Sequence, residues 1–346
     1  MTDPSGNAAV DPATNQGAPG ASAVTTRLTR LEGLLRIVDV LMAAPVLFAA
    51  VLLKGARRAG LHRLPLSRGV LRRVGMMPIR KHYYEPMVDA SMLRTDLATE
   101  RELPGIDWNV EGQLEFLAKV RFTTELTSLE DEGSSGGTEF RFHNGMFEHG
   151  DAELFYSLIR LTRPRRIFEI GAGNSTLVAM RAIAANRAED PTYSCRHVCI
   201  EPYEVAWLET MDVELIRRPV EELDPTLFEE LGAGDILFID SSHIIRPQGD
   251  ILHEYLNILP RLAEGVTVHV HDIFSPRDYP RAWVLGRHRL WNEQYLLEAF
   301  LTHNCSWQIL AAVNYLHHQH FVALKAACPN LRPEHEPGSF YMVKRE

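Results

Sequence analysis

Two short segments hold acid and imidazole groups at the ends of apolar runs. Ile-Leu-Phe-Ile-Asp-Ser-Ser-His closes on Asp240 and His243, and Val-His-Val-His-Asp closes on His271 and Asp272. Carboxylates and imidazoles are the side chains that accept a proton near neutral pH. Adjacent strands lie about 5 Å apart, so neighbouring strand ends would bring all four groups together. Two chemistries then stand open. Asp240 and Asp272 would hold Mg²⁺ or another hard divalent cation, with waters and substrate oxygens completing the shell. Alternatively, His243 or His271 would act as general base for a substrate hydroxyl. His269 alternates with His271 on one strand face and is given no role.

A third segment, Arg166–Thr176, reads as a strand, a Gly-x-Gly turn and a helix start. Gly171 and Gly173 permit positive φ and let the backbone approach a ligand closely. Asn174 or Ser175 is placed to cap the helix. The dinucleotide fingerprint asks for a further glycine where this chain has Thr176. Glu169, at the strand end, would repel a pyrophosphate but suits the ammonium of an amino-acid moiety. Glu201 ends the next apolar run, His-Val-Cys-Ile-Glu-Pro, where a carboxylate can accept both hydroxyls of a ribose.

With these features the sequence resembles the class I S-adenosylmethionine-dependent methyltransferases over residues 150–346. The resemblance rests on Phe-Glu-Ile-Gly-Ala-Gly-Asn-Ser-Thr, Ile-Glu-Pro, Ile-Leu-Phe-Ile-Asp-Ser-Ser-His and Val-His-Val-His-Asp-Ile-Phe. It is nearer to the small-molecule branch of cephalosporin-hydroxylase-like and macrocin O-methyltransferase-like proteins. The resemblance implies S-adenosylmethionine contacts from Glu169, Gly171, Gly173, Asn174, Ser175 and Glu201, with a weaker match at Glu221 on the adenine side. Metal-dependent relatives place carboxylates at the Asp240 and Asp272 positions. This chain departs from them in the Ser-Ser before His243 and the His beside Asp272.

The elements that must position these groups alternate. Strands are expected at 166–170, 197–200, 213–217, 235–240, 266–271, 307–313 and 339–343. Helices are expected at 152–161, 174–187, 204–211, 221–231, 250–262 and 290–301. Apolar runs with helical crossovers indicate an α/β fold, a doubly wound and mostly parallel sheet covered on both faces. The late strand pair matches the antiparallel insertion of the seven-stranded, Rossmann-like methyltransferase sheet. Trp291–Tyr295 opens the helix after the fifth strand and is expected to line an acceptor pocket.

The first 150 residues read differently. Residues 1–26 are Gly-, Ala-, Pro-, Ser- and Thr-rich and are expected to be a disordered tail. Residues 27–81 form an apolar and basic helical segment. Val40–Leu53 carries no charge, and nine Lys/Arg without one Asp or Glu fall between Val40 and Tyr84. Fourteen helical residues reach only about 21 Å, short of a bilayer core, so the segment is expected to lie on an anionic membrane surface, with a full span and a buried packing helix of a soluble protein as the alternatives. Residues 82–150 are expected to be a cap or connector, with a loop at 132–138, over the domain at 151–346.

Composition sets further bounds. Net charge is −9, and outside Val40–Tyr84 there are 27 basic against 45 acidic residues, which argues against a nucleic-acid partner. The four cysteines include no Cys-x-x-Cys, as fits reduced thiols in a cytoplasmic chain at the inner face of a membrane. The expected function is O-methylation of a small-molecule, sugar or lipid-linked glycan hydroxyl. A catalytically inactive, membrane-tethered cofactor-binding protein and an NAD-dependent oxidoreductase are the alternatives.

Overall fold

The computed structural model describes residues 19–131, 139–203 and 205–345, and the chain divides into two units, Met1–Met87 and Val88–Glu346. In the first, helix α1 (Pro19–Ala59) is followed by a 3₁₀ turn at Leu61–Arg63 and helix α2 (Pro65–Val74). Residues 1–18 of the expected tail lie outside the described residues. Residues 19–26 are helical rather than disordered. Pro19 suits a first helical position, and extending an existing apolar helix costs far less than nucleating one.

The charge-free stretch also understated the helix. Between Gly33 and Ala59 it holds an 18-residue stretch of mean hydropathy 2.2, and is long and apolar enough to cross a membrane by length and composition. At about 1.5 Å per residue such a stretch reaches roughly 27 Å. A helix does not end at a flanking charge, which is why counting from Val40 to Leu53 gave too short a length. Farther on, Glu85 accepts from Arg57 (2.7 Å) and Arg80 (3.3 Å).

The second unit begins at Val88, so the expected 82–150 cap is not one piece. His82–Met87 belongs to the first unit, and Glu132–Thr138 lies outside the described residues. The rest contributes both to the core and to the wall of the site. Helices α3 (Val110–Lys119) and α4 (Thr123–Asp131) lead to a segment whose Phe140, Phe142 and Phe147 are buried with Phe116, Leu117 and Leu126.

Helix α5 (Asp151–Thr162) enters the sheet region. Strand β1 (Arg166–Ile170), helix α6 (Asn174–Glu189), β2 (Arg196–Ile200) and β3 (Glu214–Ile216) follow. Then come β4 (Ile236–Ile239), α7 (Asp250–His253), β5 (Thr267–Val270), α8 (Glu293–Leu301) and β6 (Trp307–Ala312). Helices α9 (Val313–Gln319) and α10 (Phe321–Ala327) precede β7 (Phe340–Lys344). The sheet order is β3-β2-β1-β4-β5-β7-β6, with only β7 antiparallel to its neighbours.

Strand residues alternate between two apolar layers. Ile236 and Phe238 face the layer containing α5 and α6, while Leu237 and Ile239 face the layer containing Tyr255 and Leu297. Two expected helices are broken. Residues 221–231 form separate 3₁₀ turns, Val220–Glu222 and Pro225–Glu230, because Pro225 starts a new turn capped by Asp224. The 250–262 helix widens to a π turn at 254–258 and tightens to 3₁₀ at 259–261, where Pro260 lacks an N–H and crowds the preceding turn. Residues 204–211 likewise form a 3₁₀ turn, Ala206–Thr210.

Candidate active site

Strand register brings the site together. Ile170 pairs with both Ile200 and Ile239, and Ile239 with Val270. The ladder continues one step past each strand: Gly171 N donates to Ile200 O, Asp240 N to Ile170 O, and His271 N to Ile239 O. Gly171, Glu201, Asp240 and His271 therefore leave the sheet at one level. They leave it around the point where the order reverses between β1 and β4, the usual ligand crevice of such sheets.

A cavity of about 550 Å³ opens there, lined by Gly171, Asn174, Ser175, Glu201, Asp240, His243, His271 and Asp272 among others. A recess of about 270 Å³ on one side adds Tyr203, Val220 and Glu221, and shares Glu201 and Asp240 with the main cavity. A recess of about 220 Å³ on the other adds His149, His335 and Gly338, and shares His271 and Asp272. The Glu201 carboxylate accepts from Tyr203 N (2.8 Å) and Ala172 N (3.3 Å), which fixes it at the first junction.

Of the two glycines, only Gly171 is required by its backbone. Its φ is +81, and a Cβ there would stand 1.9 Å from the Asp240 carbonyl oxygen. Gly173 is extended, with φ −176 and open space around it, so the expected positive φ is absent there.

Glu169 departs further from expectation. It is fully buried, does not line the cavity, and so is turned away from any bound ammonium. Its Oε2 accepts from Thr176 Oγ1 (2.7 Å) and meets His197 Nε2 at 2.9 Å. Thr176 Oγ1 in turn accepts from Gly173 N (3.1 Å). The carboxylate thus holds the glycine turn from behind. The cause is the pleat: Glu169 points to the opposite face from Phe168 and Ile170, into the space shared with His197 and Cys199.

The acid and imidazole groups do converge. His243 Nε2 lies 3.2 Å from Asp240 Oδ1 and 3.6 Å from Asp272 Oδ2, while its Nδ1 meets Glu293 Oε2 at 2.8 Å. His271 Nε2 is 3.6 Å from Asp272 Oδ1. Burial opposes a charge on His243, but the hydrogen bonds to Asp240 and Glu293 outweigh it and hold the imidazole well above its usual pKa. Burial raises Asp272 despite the nearby imidazoles of His271 and His243. For Asp240 the imidazoles prevail over burial and the carboxyl is lowered.

Asp240, His243 and Asp272 each offer a ligand atom within 4.8 Å of the others, so the trio also has the spacing of a metal-ligand group. A hard cation takes oxygen ligands. In this arrangement His243 Nε2 stands beside both carboxylates, with its Nδ1 against Glu293.

Glu293 is the functional residue that sequence reasoning missed. It is fully buried, bonds His243, and also accepts from Tyr255 Oη (3.3 Å). Its neighbourhood at 291–295 was singled out as a pocket wall, and Trp291 does line the cavity, 4.3 Å from the His243 ring. A buried acid fifty residues from its histidine leaves no local signal. Gly145–Phe147, another part of the wall, falls within the stretch 82–150 expected to cap the domain, though none of its residues was singled out.

Comparison with known proteins bears on the same region. Residues 168–273 match a family described as a methyltransferase domain. This match spans the glycine turn, both acidic strand ends and the Asp240–Asp272 cluster, on a sheet with the single antiparallel strand expected of that fold. The chain is a class I S-adenosylmethionine-dependent methyltransferase.

An uncharacterised protein of Archaeoglobus fulgidus is 31% identical to this methyltransferase over 182 residues, 49% of this chain and 80% of the relative. Among solved structures, the O-methyltransferase TomG from Streptomyces achromogenes, in complex with S-adenosylmethionine, is 16% identical. It covers 67% of this chain and 90% of its own, with a TM-score of 0.34. CalS11, a TDP-rhamnose 3'-O-methyltransferase, is 15% identical over 70% and 99% of the two chains, with a TM-score of 0.37. The residues of this methyltransferase fit the cofactor's chemistry: a turn in which Gly171 has no room for a side chain, a helix N-terminus behind it, and the Glu201 carboxylate beside the recess.

Proposed function

We propose that the methyltransferase alkylates a hydroxyl of a small molecule, sugar or lipid-linked glycan, with Asp272 as proton acceptor. The observation that carries this reading is the convergence of Asp240, His243, His271 and Asp272 on the cavity that the glycine turn also lines. Bound S-adenosylmethionine supplies a methyl group already activated on a sulfonium. The chain must orient the acceptor, exclude water and remove a proton.

The two recesses divide these tasks. Asp240 and Glu201 border the recess with Tyr203 and Glu221, which suits adenosine, with the ribose hydroxyls at Glu201. Asp272 borders the opposite recess, which suits the acceptor. His243 and His271 are nearly enclosed, whereas the Asp272 side chain is 16% exposed and borders both that space and the main cavity. Burial raises Asp272 and so makes it a stronger base, and His243, braced by Glu293, holds its carboxylate in place.

The test is incubation of the full-length protein with methyl-labelled S-adenosylmethionine and fractionated cell extract. One labelled product with an alkali-stable ether is expected from wild type, and none from Asp272→Asn. Labelling of a nitrogen or carbon, or undiminished labelling by the variant, would overturn the assignment.

The first unit supports membrane attachment in the same reading. Val40, Leu47 and Phe48 of α1 are 74%, 66% and 68% exposed. In α2, Leu66, Val70 and Val74 are exposed at helical i, i+4, i+8 spacing, with Arg68, Arg72 and Arg73 beside them. That pattern matches a helix lying on anionic lipid. Full-length protein is expected to sediment with anionic vesicles, and a chain beginning at Val88 to remain in the supernatant; equal behaviour of the two would remove the attachment.

A further inference from the structure

The wall of the cavity that carries Asp272 also carries two arginines without an acidic partner. Trp283, Arg287, Arg289 and Trp291 all line the 550 Å³ space. The Arg289 guanidinium carbon sits 4.3 Å from the Trp283 ring centroid and 4.0 Å from that of Trp291. The two indoles meet edge to face at 5.1 Å, so Arg289 is held in the angle between them. Trp291 in turn packs on His243, and Trp283 on Phe274. The loop is closed on itself by Arg287 N to Ala282 O (2.8 Å) and Arg289 N to Trp283 O (3.0 Å).

Stacking uses the faces of a guanidinium and leaves its N–H edge available. Neither Arg287 nor Arg289 has a side-chain hydrogen bond or ion pair among the described residues, whereas Arg57, Arg101, Arg160, Arg196 and Arg246 each meet a carboxylate. Asp272 feels the field of Arg289 without forming an ion pair with it. A rigid, uncompensated guanidinium in a ligand cavity is a fork for carboxylate or phosphate. Two of them match the charge of about −2 on a phosphate monoester or a diphosphate better than the single charge of a carboxylate. Both arginines line the main cavity and neither borders the recess at Glu201, while Trp283, against which Arg289 stacks, also borders the recess shared with Asp272, His149 and His335; this places them on the acceptor side.

We infer that Arg287 and Arg289 form an anion subsite for the acceptor, and that the methylated hydroxyl belongs to a molecule bearing a phosphoryl or pyrophosphoryl group. This rests on the O-methyltransferase reading given above and narrows its substrate class. A nucleoside-diphosphate sugar and a prenyl-diphosphate-linked glycan share that chemistry.

The test is calorimetric titration of the full-length protein at about 0.15 M salt, first with S-adenosylhomocysteine and then, on the saturated protein, with inorganic pyrophosphate. Pyrophosphate is expected to bind wild type and to bind Arg289→Met and Arg287→Met at least about tenfold more weakly. S-adenosylhomocysteine is expected to bind all three proteins alike. Methionine keeps an unbranched stem against the indoles, and unchanged melting temperatures confirm that the variants fold. Equal pyrophosphate binding by wild type and variants, or none by wild type, would overturn the subsite. Loss of S-adenosylhomocysteine affinity in the variants would overturn it too, by assigning the arginines to the cofactor. Failure of wild type to bind S-adenosylhomocysteine would remove the underlying methyltransferase reading instead. Competition by UDP-glucose and by farnesyl diphosphate then separates the sources: displacement by the first alone supports a soluble sugar nucleotide, and by the second alone a lipid-linked acceptor.

Discussion

Replacing Gly171 by alanine is the sharpest probe of how the fold builds this site. The new Cβ would meet the Asp240 carbonyl oxygen at 1.9 Å, whereas ordinary contact begins at 3.4 Å. The turn and the end of β4 must separate by about 1.5 Å, the difference between these distances. Alanine at a φ of +81 adds backbone strain. The strain costs about 1–2 kcal/mol and the overpacking about 1–3 kcal/mol, together roughly 2–5 kcal/mol. For a unit of this size, about 2–4 °C per kcal/mol translates this into a fall in melting temperature of roughly 4–20 °C. A shift of about 1 Å at a catalytic carboxylate costs on the order of 10²-fold in rate. Thermal unfolding and calorimetric titration with S-adenosylhomocysteine read both effects, and at least about tenfold weaker binding is expected. Gly173→Ala is the internal control. Its backbone is extended and nothing lies within 4 Å of the added carbon, so it should lose no more than about 1 kcal/mol from the helix cap. If Gly171→Ala melts and binds like wild type, or Gly173→Ala is equally damaging, the argument from φ and close approach is wrong.

Glu201→Ala should weaken S-adenosylmethionine about 10- to 150-fold, the loss of charge-assisted bonds of about 1.5–3 kcal/mol; unchanged affinity in titration would remove Glu201 from the ribose site. Asp272→Asn should lower turnover by at least roughly 10²-fold on an identified acceptor while leaving cofactor affinity intact. If Asp272 alone takes the proton, turnover should be indifferent to chelator; a loss restored by Mg²⁺ or Mn²⁺ would assign Asp240 and Asp272 to a metal. His269 is fully buried among Phe155, Phe238 and Tyr341, and neither ring nitrogen has a hydrogen-bond partner among the described residues. Burial, reinforced by His271, drives its pKa well below the usual value, so the unfolded chain takes up a proton near pH 6.5 that the native state refuses. Stability should therefore fall as pH drops below about 6.5, by at most about 1.4 kcal/mol per unit from this group. His269→Leu should flatten that slope and match or exceed wild type in stability at pH 7, as followed by denaturant unfolding; a steeper slope would contradict it.

The legible part of this protein was local. Strand β1, the glycine turn and helix α6 were written in consecutive residues, because an apolar run, a turn glycine and a helix cap act within a few positions of one another. The acidic ends at Glu201, Asp240 and Asp272 were legible for the same reason: each directly follows a buried run, and parallel strands in register align such ends. Glu169 was misplaced because a strand end fixes a residue's level but the pleat fixes its face, and the face depends on what lies behind it, here Thr176 and His197. Glu293 was invisible as a partner because its distance from His243 along the chain says nothing until α8 packs beside β4 and β5. The helices expected at 221–231 and 250–262 are broken at Pro225 and Pro260, which the apolar spacing by itself does not register. The apolar reach of α1 was underestimated because only its charge-free run, Val40–Leu53, was counted. Sequence alone set which groups reach the carboxyl edge of the sheet. Only the packed structure decided that the His243 imidazole stands beside both carboxylates, since that depends on the free energy of burying all three together.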